Sequence, residues 1–195
     1  LLENQLYIPC VQKDIIWFGQ TMNSLASKYS EATLSKTFMP EEFFDGRIEA
    51  TGVFIDRFGS VRRRFNVSID GQTTKDGFLL DEYFSFDDGE NEYRQWQITK
   101  SDQNTYVGFC KDVCGQAVGK LTDAQLSWNY YFNLTLFNRK IKVKFEDVMI
   151  QQSPLIMLNN AKVKKFGLLL GEVFITFIKT SQSTSEFPLS AADRK

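Results

Sequence analysis

The chain contains no histidine. That absence removes the commonest general base, the Ser-His-Asp arrangement and most zinc sites. Cysteine is scarce, with three residues in 195. Cys110 and Cys114 lie four residues apart, about 13 Å along an extended strand and too far for a disulfide. They are expected to be small core residues. No apolar run reaches the ~18 residues of a membrane-spanning helix. Excess charge of one sign is also missing. Lys and Arg number 23 against 24 Asp and Glu, a net charge of -1, so no global basic field draws the chain to nucleic acid. The one basic run, Arg62-Arg63-Arg64, lies in a strand-like stretch where alternate side chains point apart, and it reads as structural.

What the chain does have is apolar and aromatic. It is 43% hydrophobic with 18 phenylalanines, enough for the core of one domain. Residues 1–36 read as an N-terminal extension. Within it Asp14–Leu34 places Ile15, Phe18, Met22, Leu25 and Tyr29 at helical spacing, with Asp14 as N-cap. The expected role of this amphipathic helix is to pack on, or plug the end of, a sheet. Thr37–Gly46 is a connector. From Ile48 onward the period is two, and residues 37–179 read as one β-domain. The stretch 180–195 is a polar tail without periodicity.

The best-defined hairpin is Asp81–Ile98. Asp87-Asp88-Gly89 suits a three-residue loop closed by glycine in the left-handed region. It sets Phe84 opposite Glu92, Glu82 opposite Arg94, Leu80 opposite Trp96 and Phe78 opposite Ile98. A two-residue Asp88-Gly89 turn is the rival, but it mixes apolar with polar side chains on each face. For Ile48–Ile69, a Gly59-Ser60 turn predicts Phe54 opposite Phe65, Gly52 opposite Val67, and a rim pair Asp56–Arg63. Thr105–Lys120, with Gly108, Gly115 and Gly119, reads as two short strands or one strand bent near Asp112. In Asp123–Phe137 every even position from Leu126 to Leu136 is apolar. Joined by Asn138-Arg139 to the next strand, it predicts Phe132 opposite Phe145 and Tyr130 opposite Asp147. Ser153–Val163 is ambiguous. Lys165–Lys179 reads as a last strand covered on both faces.

Eight to ten antiparallel strands with short loops, preceded by one helix, predict an up-and-down β-barrel. A meander that closes on itself buries all the apolar faces in one interior and removes exposed edges. Trp96, Trp128, Tyr130, Phe84, Phe132 and Phe145 are expected to line it, with Glu82, Arg94 and Asp147 among them.

Several short motifs recur in order from Phe43 to Lys179. They include Phe43-Phe44-Asp45-Gly46, Asp56-Arg57-Phe58-Gly59, Arg63-Arg64-Phe65, Leu80-Asp81-Glu82 and Asp87-Asp88-Gly89-Glu90. Arg94 with Trp96, Leu126 with Trp128 and Tyr130, Lys165-Phe166-Gly167 and Gly171-Glu172-Val173 complete the pattern. In these the chain resembles the DUF3833 family, proteobacterial and often predicted lipoproteins without an assigned biochemical activity. The resemblance implies a lipocalin-like, or calycin-like, barrel and a cell-envelope or periplasmic setting linked to lipids. Leu6-Tyr7-Ile8-Pro9-Cys10 is a poor lipoprotein-processing site, because proline precedes the cysteine, so no signal or processing site is legible here.

The functional expectation is a barrel that binds an apolar or amphipathic small molecule such as a fatty acyl chain or lipid. Its ligand-binding residues would be Glu82, Phe84, Arg94, Trp96, Trp128, Tyr130, Phe145 and Asp147. Arg94 would pair with a ligand carboxylate if released by Glu82. One alternative is a structural or partner-binding envelope module with a filled barrel, where Glu82–Arg94 and Tyr130–Asp147 are satisfied internal pairs. Another is a histidine-free enzyme acting on a lipid-like substrate, with Glu82, Asp147, Glu172 and Tyr130 as acid–base candidates. No catalytic residue, metal ligand, cofactor or nucleic-acid partner is assigned.

Overall fold

A computed structural model describes residues 38–122, 125–136 and 139–180. The expected helix over Asp14–Leu34 and all but the first residue of the polar tail lie outside the described residues. A single helical turn, α1 (Pro40–Phe43), is followed by ten strands. These are β1 (Gly46–Asp56), β2 (Val61–Thr74), β3 (Gly77–Phe86), β4 (Asn91–Asp102), β5 (Thr105–Phe109), β6 (Ala117–Thr122), β7 (Gln125–Leu136), β8 (Arg139–Ser153), β9 (Ile156–Lys165) and β10 (Leu168–Lys179). Each strand pairs antiparallel with the next, and β10 returns to β1, closing the barrel. Closure satisfies both edges of the meander, which is what alternating apolar faces on successive hairpins demand.

The β3–β4 hairpin has the expected register, with Phe78 opposite Ile98, Leu80 opposite Trp96, Glu82 opposite Arg94 and Phe84 opposite Glu92. Gly89 takes φ +86 in the three-residue loop, and the Phe86 N–H donates to the Glu90 carbonyl at 2.9 Å. Two other hairpins differ from expectation by two residues. In β1–β2, Gly52 faces Phe65 and Phe54 faces Arg63. The loop is the three-residue Arg57-Phe58-Gly59, with Gly59 at φ +83, and an irregularity near Arg62 re-aims the start of β2. Asp56 therefore does not pair with Arg63. Its partner is Arg62. In β7–β8, Phe132 faces Val143, Tyr130 faces Phe145 and Trp128 faces Asp147. A slip of two keeps side chains on their expected faces, so the interior is unchanged while the opposed partners are not; the exception is Val61, which the irregularity turns outward, opposite Ile55 and exposed.

Thr105–Lys120 forms two strands, β5 and β6. Cys110 and Cys114 are both free and half-buried in the loop between them, and Cys110 packs against the core around Val113, Phe132 and Val143. The ambiguous stretch becomes β9, with Met157, Asn159, Ala161 and Val163 turned inward and buried. The last strand is covered on one face only: outward Phe174 and Ile178 are exposed. The arginine run divides as its alternation requires. Arg62 pairs with Asp56, Arg64 approaches Asp87 at 3.8 Å, and Arg63 turns to Asp88 and Glu90.

One end of the barrel is solid. Pro40 starts α1, where its fixed φ suits a first helical position and its missing N–H costs nothing. The turn carries Phe43, and Phe38 and Phe44 flank it, all buried. Phe44 stacks on Phe78 with centroids 5.5 Å apart and meets Phe177 edge-on at 6.0 Å. Burying each such ring contributes about 1.5–3 kcal/mol. The turn is pinned by polar contacts as well. The Tyr106 hydroxyl donates to Glu41 Oε1 at 2.9 Å, and Lys100 Nζ lies 3.2 Å from the same oxygen. This connector, read from sequence as a linker, is thus the floor.

Candidate functional site

Above that floor the barrel is hollow. A cavity of about 1080 Å³ runs from Phe44, Phe78 and Phe177 to a mouth among the turns after β1, β3, β5 and β9. Such a volume is at the upper end of small-molecule sites. All eight expected residues line this one space: Glu82, Phe84, Arg94, Trp96, Trp128, Tyr130, Phe145 and Asp147.

Strand alternation puts the large rings there, and glycine makes room for them. Gly119 stands opposite Trp128 on β6. A Cβ at Gly119 would lie 2.9 Å from the indole, closer than side-chain carbons approach. Trp96 meets the Tyr130 ring edge-on at 5.6 Å, and Tyr130 stacks on Phe145 at 5.2 Å with an interplanar angle of 4°. Offset and edge-on arrangements of this kind suit the ring quadrupole.

The polar groups occupy two levels. At the mouth, Arg63 reaches Asp88 at 2.7 Å and also Glu90, and its guanidinium lies 3.5 Å from the Phe86 centroid. Arg94 ion-pairs with Glu92 and lies over Phe84 at 4.4 Å and Phe132 at 5.1 Å. The expected Glu82–Arg94 salt bridge is therefore not the one formed. The two residues are opposed in register, but the longer arginine side chain takes the less buried Glu92, whose carboxylate loses less hydration.

At mid-depth sit Glu82 and Asp147. Asp147 is buried, while the exposed part of Glu82 faces the hollow, within low-dielectric walls. Burial pushes Glu82 up to about 7, although the charge of Arg94 and the Trp96 indole N–H pull it down. Burial likewise raises Asp147 to about 7. The hydroxyl of Tyr130 lowers it and the nearby Glu82 charge raises it. The Tyr130 hydroxyl donates to Asp147 Oδ2 at 3.0 Å, and burial holds the phenol well above its ordinary range. The expected Tyr130–Asp147 contact is thus made, diagonally rather than across the ladder. Asp147 Oδ1 is buried without a partner, and so is Asn159 Oδ1.

Glu172, an acid–base candidate, is not in the cavity. It accepts a hydrogen bond from Asn160 Nδ2 at 2.8 Å, on the other side of the wall. The cavity also takes in polar residues outside the expected set, among them Arg63, Asp88, Glu90, Glu92, Asp112 and Asn159. Asn159 lay in the stretch with no clear period, though a lone amide between inward Met157 and Ala161 was the available signal. Arg63 was placed at the rim with the wrong partner. Among the described residues no group of three or more His, Cys, Asp or Glu is arranged to hold a metal ion. Burial pushes the Cys110 thiol up, away from the reactive thiolate.

These features define a class: closed ten-stranded antiparallel meander barrels with an aromatic, sparsely charged internal cavity. The family described as "Protein of unknown function (DUF3833)" matches residues 19–179, and the chain belongs to it. Among solved structures, the S-type phycobiliprotein lyase CpeS from Guillardia theta is similar at TM-score 0.52 and 11% identity, covering 72% of this chain and 90% of that one. The structure titled EF1p2_mFAP2b bound to DFHBI aligns at TM-score 0.42 and 10% identity, covering 71% and 95%. At such identities the likeness to the lyase is one of fold, lipocalin-like in architecture. Among curated proteins the search finds no match.

Proposed function

We propose that this protein is a non-enzymatic receptor or carrier that holds one amphipathic small molecule with a lipid-like apolar body inside the barrel. The observation that carries this reading is the hollow interior: about 1080 Å³ walled by Trp96, Trp128, Tyr130, Phe132 and Phe145. A filled barrel would have interdigitated these rings, because protein interiors pack without voids of such size. Burying an acyl-like chain there removes apolar surface from water at about 25 cal/mol per Å². The few polar groups at mid-depth would fix its orientation. The likeness to a phycobiliprotein lyase adds only that this fold is used elsewhere. A cell-envelope or periplasmic setting is part of the proposal, resting on the family resemblance.

The test is native mass spectrometry of protein purified gently from its source, with thermal unfolding across a panel of long-chain probes. A co-purifying small molecule, or a rise in unfolding temperature with any apolar-bodied probe, is the expected result. A ligand-free protein whose unfolding temperature no probe moves would overturn the reading.

A further inference from the structure

The charges around the cavity are unbalanced. Six carboxylate residues line it, Glu82, Asp88, Glu90, Glu92, Asp112 and Asp147, against two arginines, with Lys140 outside the lining 3.7 Å from Asp112. Both arginines are engaged: Arg63 by Asp88 and Glu90, Arg94 by Glu92. Both lining arginines are thus held in ion pairs at the mouth, where the buried Arg63 Nε lacks an aligned hydrogen bond, whereas Glu82 and Asp147 at mid-depth have no ion-pair partner within salt-bridge distance among the described residues.

Two further atoms point the same way. Asp147 and Asn159 are 91–92% buried, at 9% and 8% exposure, on inward positions of the adjacent strands β8 and β9. Each residue lines the cavity and carries an unpartnered Oδ1 buried in its wall. Asp147 faces Ala161 and Asn159 faces Met149, so the two are diagonal neighbours with Cβ atoms roughly 7–8 Å apart. A buried acceptor without a donor costs about 1–3 kcal/mol. It is retained at low cost only if something else supplies the donor. Trp128 is opposite Asp147 in register, with its ring over Gly119 of β6, and Trp96 meets edge-on the Tyr130 ring whose hydroxyl donates to Asp147 Oδ2.

We infer that the ligand carries a protonated amine, which enters ahead of its apolar body and donates hydrogen bonds to Asp147 and Asn159 at mid-depth. The inference rests on the proposed role of the barrel as a small-molecule receptor, and it replaces a carboxylate head group by its opposite. The apolar body then lies toward the mouth, along Phe54, Phe132, Phe145 and Leu170. The ammonium supplies the missing donors and the missing positive charge at once. A fatty-acid carboxylate would instead place a further negative charge beside Glu82 and Asp147, which burial already disfavours as anions.

Three probes of equal chain length separate the possibilities: dodecylamine, dodecanol and dodecanoate, each added below its micellar concentration to the full chain and followed by calorimetry. Dodecylamine is expected to bind at least about tenfold more tightly than dodecanoate, a difference of about 1.4 kcal/mol, with dodecanol between them. Asp147→Asn keeps the shape and the Tyr130 contact but removes the charge, and it should erase most of that preference while dodecanol binding persists. Glu82→Gln provides a second variant with a smaller expected loss. Equal or tighter binding of dodecanoate, or an amine preference unchanged in both variants, overturns the inference and leaves the receptor reading standing. Failure of all three probes to bind overturns both.

Discussion

Arg94 stands directly opposite Glu82 on the β3–β4 ladder, yet its guanidinium pairs with Glu92, two residues along its own strand. The choice separates a screened ion pair at the mouth from a buried carboxyl within. Removing one partner of a fully buried pair costs about 3–5 kcal/mol. Arg94→Ala is expected to cost only about 1–2 kcal/mol, chiefly its packing over Phe84 and Phe132. Urea unfolding of the variant checks this. A loss beyond 3 kcal/mol would show that Arg94 balances Glu82 after all.

The two mid-depth carboxyls also set a pH dependence. Glu82 is raised from 4.5 and Asp147 from 3.8, each to about 7. Below about pH 4 both are protonated in folded and unfolded chains alike. Between there and about 7 the folded chain holds protons that the unfolded chain has released, so stability falls as pH rises. The groups facing them are Arg94 and Trp96 at Glu82, and Tyr130 and Glu82 at Asp147. Glu146, held down to about 2 by Lys144 and Lys164, loses its stabilising contribution only below about 4.5, outside this window. The unfolding temperature of the ligand-free protein should drop by roughly 5–10 °C from pH 5 to pH 8. Asp147→Asn should flatten that slope by about half. A temperature that is flat or rising across the interval would contradict the placement of these carboxyls.

Face and partner were unequally legible in the sequence. Alternation of Leu126, Trp128, Tyr130 and Phe132 fixes which side chains look inward, because a one-residue slip would turn them all out. It is blind to slips of two, and for that reason Tyr130 was set against Asp147 instead of Phe145. The β3–β4 register was readable because Asp87-Asp88-Gly89 admits one tight loop that also segregates the faces. Between β1 and β2 the same three-residue geometry occurs with Arg57-Phe58-Gly59, residues that announce it less clearly, and the irregularity near Arg62 leaves no compositional trace. The hollow was not legible at all. Whether rings meet across a barrel depends on strand tilt and stagger, and the sequence of each strand is silent on both. The ion-pair choice of Arg94 likewise depends on side-chain reach, not on pairing.

Gly119 supplies a test of the cavity wall. Its missing side chain leaves the space that the Trp128 ring occupies, and an added methyl would sit 2.9, 2.9 and 3.0 Å from three ring carbons. Gly119→Ala must therefore push the indole into the hollow. The expected cost is about 1–3 kcal/mol, as for other overpacked sites, together with a changed tryptophan emission and weaker probe binding. Unchanged emission and stability would place Trp128 elsewhere than against β6.

The β9–β10 turn makes the opposite prediction, a gain in stability. Lys165 faces Leu168, so Phe166-Gly167 is a two-residue turn, and both central residues have positive φ, +50 and +80. Such turns favour Asn-Gly, because a bulky side chain in the left-handed region costs roughly 1–2 kcal/mol. Phe166 recovers little of this: it is 93% exposed, and its one notable contact is Lys165 Nζ at 5.3 Å from the ring. An exposed cation–ring contact contributes about 0.5–1 kcal/mol. Phe166→Asn is thus expected to stabilise the isolated protein by about 0.5–1 kcal/mol, or roughly 1–4 °C, without altering probe binding. Thermal unfolding of the two proteins side by side decides it. A destabilised variant would mean that the ring is packed in solution, and that its strained backbone is held there by a contact worth more than the strain.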